Sequence, residues 1–146
     1  MVEIREITAE ETYTIRKEVL RKNMDLSYKF SGDHDKDTFH LGLLKNKKII
    51  SIVSFMKTNN HLFLKDQYQL RGMATLENFQ GKGYGKILIS RAEIILNKKK
   101  IKEIWCNARV NSLDFYTKQG FSLVGKEFKI PQIGGHFIMS KKLQEL

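Results

Sequence analysis

Three glycines, Gly81, Gly83 and Gly85, fall within five residues of the run Gln80-Gly81-Lys82-Gly83-Tyr84-Gly85-Lys86. A β-favouring stretch, 68–75, precedes the run, and 86–96 follows it with apolar residues at helical spacing. A turn with so few side chains lets a phosphate approach the backbone. The N–H groups of the first helical turn, which have no partner within the helix, then point at it. The chemistry this offers is anion binding at a helix N-terminus, with Lys82 or Lys86 adding charge. Spacing excludes two nucleotide loops. A dinucleotide fingerprint needs G-x-G-x-x-G, and Gly85 comes one residue early; a P-loop needs four residues between its first glycine and Gly-Lys-Ser/Thr, an arrangement missing from 81–87.

The spacing that fits is Q/R-x-x-G-x-G, filled by Gln80, Gly83 and Gly85. It resembles the pyrophosphate loop of the GNAT family of N-acetyltransferases. Leu-Arg-Gly-Met-Ala-Thr at 70–75 is similar to that family's central strand, and Asp-Phe-Tyr-Thr-Lys-Gln-Gly-Phe at 114–121 to its F-Y-x-K-x-G-F segment. The three matches occur in the family's order. A short acidic run before His40, itself followed by Leu-Gly, also resembles an ElaA-like branch of the family.

The resemblance implies acetyl-CoA as co-substrate and acetyl transfer to a primary amine by direct attack on the thioester. It implies a pantetheine arm lying along Met73, Ala74 and Thr75 like an added strand, using backbone groups. A bulge at Gly72 or Met73 would aim an N–H at the thioester oxygen. The pyrophosphate would sit on Gln80, Gly81, Lys82, Gly83, Tyr84, Gly85 and Lys86. Tyr116 is implied as the general acid that protonates the departing thiolate. Many members carry Asn seven residues before this tyrosine. Here Arg109 stands there, with Asn107 and Asn111 on either side, so the contact to the cofactor tail stays open among the three, with Asn111 counted among the cofactor-binding residues. The base stays open among Glu77, His136, His40 and a water relay, since a histidine works near neutral pH with little tuning. Tyr28 and Phe30 are candidate walls of the acceptor pocket.

Other reactive residues read more plainly. Cys106 is the only cysteine, which excludes an intramolecular disulfide, and it is expected to be a buried strand thiol. Asp33-His34-Asp35-Lys36-Asp37 opens like a calcium loop, but position six is Thr38 instead of Gly and position twelve is Leu44 instead of Glu. An exposed acidic loop is expected there, and no metal site.

These residues must be positioned by elements that the pattern supplies. Strands are expected at 2–7, 38–44, 48–56, 68–75, 102–108, 121–128 and 136–143. Helices are expected after Thr8, which can form a capping box with Glu11, over 86–96, and over 111–119 with Gly120 as terminator. The order β-α-β-β-β-α-β-α-β-β indicates an α/β fold. The resemblance narrows it to a GNAT-like fold: a mixed, mostly antiparallel sheet of about seven strands with flanking helices, as one domain over 1–146.

The 146 residues carry a formal net charge of +10. Of 26 cations 20 are Lys, and because base readout favours the planar fork of Arg, nucleic acid is disfavoured as partner. The expected partner is a small-molecule or peptide amine, with a homodimer allowed. The charged opening residues lack a signal peptide's apolar core, and no run approaches the roughly 20 residues of a membrane span, which points to the cytoplasm. The alternative function is a noncatalytic module that senses CoA or binds RNA through its basic surface.

Overall fold

The computed structural model describes residues 1–63 and 65–144. Among them seven strands form one sheet: β1 (Val2–Ile7), β2 (Phe39–Lys45), β3 (Lys48–Met56), β4 (Gln67–Thr75), β5 (Glu103–Arg109), β6 (Ser122–Ile130) and β7 (Gly134–Lys142). Their order across the sheet is β1-β2-β3-β4-β5-β7-β6, and only β4 and β5 run parallel. The helices are α1 (Tyr13–Ile15), α2 (Tyr84–Lys98) and α3 (Leu113–Lys118). Fold class and element order are those expected.

Local chemistry explains the elements. Thr8 and Glu11 form the reciprocal capping box, with Thr8 N–H donating to Glu11 Oε1 at 2.9 Å and Glu11 N–H to Thr8 Oγ1 at 3.1 Å. The helical segment it starts is irregular: a 3-10 turn (Glu10–Thr12), α1, then a wide π turn (Arg16–Leu20). Asn46 and Lys47, both at positive φ, make the two-residue turn that joins β2 to β3. On α2, Leu88, Ile89, Ala92 and Leu96 are buried and pack over β2, β3 and β4 with Leu43, Val53, Phe55 and Leu70. The opposite face of the sheet carries a smaller cluster of Ile7, Ile15, Ile52 and Ala74, with Val19 and Leu20 against it. Covered on both faces, β2 and β3 read as long apolar runs.

The sheet opens at its centre. β4 and β5 pair at only three positions, Gln67↔Glu103, Tyr68↔Ile104 and Gln69↔Trp105. On the other edge of β4, the register passes from Ser54↔Arg71 to Ile52↔Ala74, so Val53 faces two residues, Gly72 and Met73. This is the expected bulge, and it bends β4 away from β5. Gly72 sits at φ +62°, and a Cβ there would come within 3.1 Å of Phe30 and 3.3 Å of Arg16 Nε. Glycine is required by both conformation and space.

The acidic segment needs a correction. His34, Asp35 and Lys36 are exposed, but Asp33 turns inward and is buried. Its carboxylate accepts from Arg16 Nη1 at 2.8 Å, Arg16 Nη2 at 3.0 Å and Phe30 N–H at 2.9 Å. Arg16 is wholly buried and donates also to Tyr28 O and Ser54 Oγ. His40 joins the same network through Ser54 Oγ (2.6 Å from Nδ1) and Asp33 O (3.1 Å from Nε2). A carbonyl only accepts, so Nε2 carries the proton and Nδ1 accepts from the serine hydroxyl. The inward turn of Asp33 is set by an arginine 17 residues earlier in the chain, which local composition does not reveal.

This network predicts acid sensitivity in two stages. Burial lowers the pKa of His40, the Asp33 carbonyl opposes, and the Arg16 charge adds to the lowering, so the net value falls below the ordinary 6.5. Burial alone would raise Asp33, but hydrogen bonds from Arg16 and Phe30 and the Arg16 charge outweigh it, leaving the carboxyl below 3.8. Both folded values are depressed, so each contribution is full above the unfolded pKa and is lost as pH falls through the folded one. Tm is therefore expected to begin falling below pH 6.5 and to fall again below 3.8. His40→Gln should remove the first stage. An unchanged curve in that variant would assign the fall to other groups.

Candidate active site

Where β4 and β5 part, a cleft of about 780 Å³ opens between them. The glycine loop and the start of α2 form part of its wall, and Val19 and Leu20 of the π turn form another. The cleft brings together Met73, Ala74, Thr75, Gln80, Gly81, Gly83, Tyr84, Gly85, Lys86, Asn111, Tyr116 and His136. Two of the expected residues lie elsewhere. Glu77 borders a separate hollow of about 510 Å³ beside Lys22 and Lys48, and Lys82 reaches towards the Phe79 ring, 5.9 Å from its centroid. Phe30 forms part of the wall, whereas the Tyr28 ring packs edge-on against Tyr13.

The loop is held open by backbone geometry. Gln80 Nε2 donates to Thr75 O at 2.9 Å, tying the loop to the end of β4. Gly81 and Gly83 adopt φ +77° and +83°, with nothing within 4 Å of where a Cβ would stand. The requirement there is conformational. Gly83 caps α2 without a side-chain bond, and the first helical hydrogen bond runs from Ile87 N–H to Gly83 O at 3.2 Å. The N–H groups of Tyr84, Gly85 and Lys86 are thereby left facing a prospective anion. At Gly85 the requirement is spatial, because a Cβ would lie 2.9 Å from Phe115 Cζ.

Tyr116 projects from α3 into the cleft wall, edge-on to Phe115 and Phe121 at centroid distances of 5.1 and 5.4 Å. Its hydroxyl has no hydrogen-bond partner among the described residues. Burial pushes the phenol well above its ordinary value, Cys106 adds to the rise and Arg109 opposes it. The group therefore keeps its proton at neutral pH, the form that can donate. Cys106 is the expected buried thiol, pushed up by burial to about 12.

His136 faces Arg109 across the β5–β7 ladder and is buried against Phe128. Its Nδ1 lies 2.8 Å from Gly134 O and so carries the hydrogen, which leaves Nε2 as a lone-pair acceptor. Asn107, Arg109 and Asn111 all line the cleft. Arg21 and Arg71 line it too and were not foreseen as site residues. Arg71 carried a signal, a charged side chain beside glycine in a central strand, but Arg21 carried none.

The model of the Acetyltransferase (GNAT) family matches residues 1–121. The chain belongs to this family. It is 38% identical over 146 residues to YitI of Bacillus subtilis, described as an uncharacterised N-acetyltransferase, covering 99% of this chain and 98% of that one. The fold is similar to that of Escherichia coli ElaA, with a TM-score of 0.81 at 17% identity over 97% of this chain and 99% of the other. It is similar also to an aminoglycoside 6'-N-acetyltransferase complexed with coenzyme A, with a TM-score of 0.78 at 9% identity over 99% and 98%. The protein is thus a GNAT N-acetyltransferase. No helix among the described residues is long and apolar enough to cross a membrane.

Proposed function

We propose that the cleft binds acetyl-CoA and passes its acetyl group directly to a primary amine. The observation that carries this reading is the continuity of one cleft from the open helix N-terminus, through the gap between β4 and β5, to the Tyr116 hydroxyl. The pyrophosphate accepts hydrogen bonds from the N–H groups at the start of α2, with Lys86 adding charge. The pantetheine amides lie along Met73, Ala74 and Thr75, where β4 has no pairing to β5. Asn111 contacts the cofactor tail.

The amine, once neutral, attacks the thioester carbon. A C–N bond forms, the C–S bond breaks, and the carbonyl oxygen takes a hydrogen bond from the bulged backbone at Gly72 and Met73. Tyr116 gives its proton to the thiolate. His136 Nε2 takes the proton from the amine, a role favoured over Glu77 by its position in the cleft. The acceptor binds beside Phe30 and the π turn, which also line the cleft.

Isothermal titration of CoA and acetyl-CoA at moderate salt, with thiol release on adding amines, tests the proposal. Cys106 is 1% exposed, so a thiol reagent reads the CoA released and not the protein. Absence of binding would end this reading. Gly85→Ala forces Phe115 to move and is expected to raise the Kd for CoA about tenfold, roughly 1.4 kcal/mol, with Tm nearly unchanged. An unchanged Kd would argue against the loop as the pyrophosphate site.

A further inference from the structure

The chain has only six arginines, and four of them cluster: Arg16, Arg21 and Arg71 stand over the Phe30 ring, and Arg109 lies beside Arg21. Arg16 is spoken for by Asp33. The other three line the cleft, and none has an ion-pair partner among the described residues. Arg21 and Arg109 are drawn together by one carbonyl, Leu20 O, which accepts from Arg21 Nη1 at 3.3 Å and Arg109 Nη2 at 3.1 Å. Arg21 Nε also donates to Ser27 O at 3.1 Å. Arg71 stacks on Phe30, 4.3 Å from the ring centroid, and makes no hydrogen bond within the described residues, so its whole donor fork is available.

This arrangement is unfavourable in the free protein. Burial lowers the pKa of Arg21 first, and the charges of Arg109, Arg71 and Arg16 lower it further. Arg71 is lowered by burial and then by Arg16, with only Asp33 opposing. Asp33, the acid nearest these cations, is already paired with Arg16, so the partly buried Arg21, Arg71 and Arg109 are relieved by an added anion, and planar forks suit the paired oxygens of a carboxylate or phosphate. The cluster comes from the residue after the π turn, from β4 and from β5, and shares no residue with the glycine loop at 80–86.

We infer that the acceptor amine bears an anionic oxygen group, a carboxylate or a phosphate, which Arg71, Arg21 and Arg109 bind so that the amine faces the gap between β4 and β5. This rests on the acetyl-transfer reading above and names the substrate class of the same site. Polycationic amines are disfavoured by like-charge repulsion.

The test compares matched pairs of primary amines by thiol release: amino acids against their decarboxylated amines, phosphoethanolamine against ethanolamine, and spermidine. The anionic member of at least one pair is expected to have a kcat/KM at least about tenfold higher, the scale of one charged hydrogen bond. The two kinds of pair separate carboxylate from phosphate. Arg71→Gln should raise KM for that acceptor at least about tenfold. Arg71→Lys should recover part of the loss, and the Kd for CoA should stay within about twofold in both, a split a merely structural role would not give. The wild-type comparison stands without either variant. Spermidine or the uncharged-side members turning over equally well or better would overturn the inference while leaving acetyl transfer intact. A CoA Kd that rises with the acceptor KM would also overturn it, by assigning the cluster to CoA. Failure of CoA to bind would instead remove the underlying reading.

Discussion

Tyr116→Phe is expected to lower kcat by about 10²- to 10⁴-fold, the range for a positioned general acid, with the Kd for CoA within about twofold of wild type. The substitution removes one oxygen and keeps the ring that packs between Phe115 and Phe121. Because the hydroxyl bonds to nothing else in the described chain, its loss leaves no donor or acceptor stranded. Activity requires the protonated phenol and would fall as pH rises through its pKa. That value lies well above 10.0, so wild-type kcat should show no alkaline fall from this group below pH 10. Equal losses in kcat and CoA affinity, or no loss, would make Tyr116 a packing residue.

Asp33→Ala should cost about 3–5 kcal/mol of stability, the scale for breaking a buried ion pair by removing one partner. Side-chain exposures are 0% for Arg16 and 2% for Asp33, so the remaining guanidinium could not recover its charge interaction from water. It is already strained for partners, since Arg16 Nε is the one buried side-chain polar atom among the described residues that lacks a hydrogen bond. For a chain of this size the loss corresponds to a fall in Tm of roughly 6–20 °C. Thermal denaturation of the single variants and of Arg16→Met with Asp33→Ala separates the terms. The double variant is expected to recover much of the loss, because no charge is left stranded. A single variant with wild-type Tm would show the pair to be dispensable.

Fold and cofactor half were legible because their signals are local. Glycines at 81, 83 and 85 mark a loop whose geometry the next few residues determine, and the period of Leu88, Ala92 and Leu96 marks the buried stripe of α2. The bulge could be expected from Gly72 beside a charged residue in a central strand. Asp33 was misread because its partner is distant in sequence, and five neighbouring polar residues look solvated whichever way one of them turns. Arg21 gave no sign for a related reason: on an irregular π turn, helical spacing does not say which side chains share a face. Glu77 lies just past β4, but the 3-10 turn it begins carries it to the neighbouring hollow, which shares Phe79 and Gln80 with the cleft.

Three ladder pairs join β4 to β5, while α2 covers β2, β3 and β4 and α3 rests on β5. The sheet's hydrogen bonding thus forms two leaves along a short spine, with one apolar core from Leu43 to Met139 running beneath both and Lys141 reaching Glu93 from β7 to α2. An occupant of the gap would lengthen that spine. Amide hydrogen exchange should then slow on ligand binding not only at the gap but at positions of β6 and β7 that do not line the cleft, such as Leu123 and Met139.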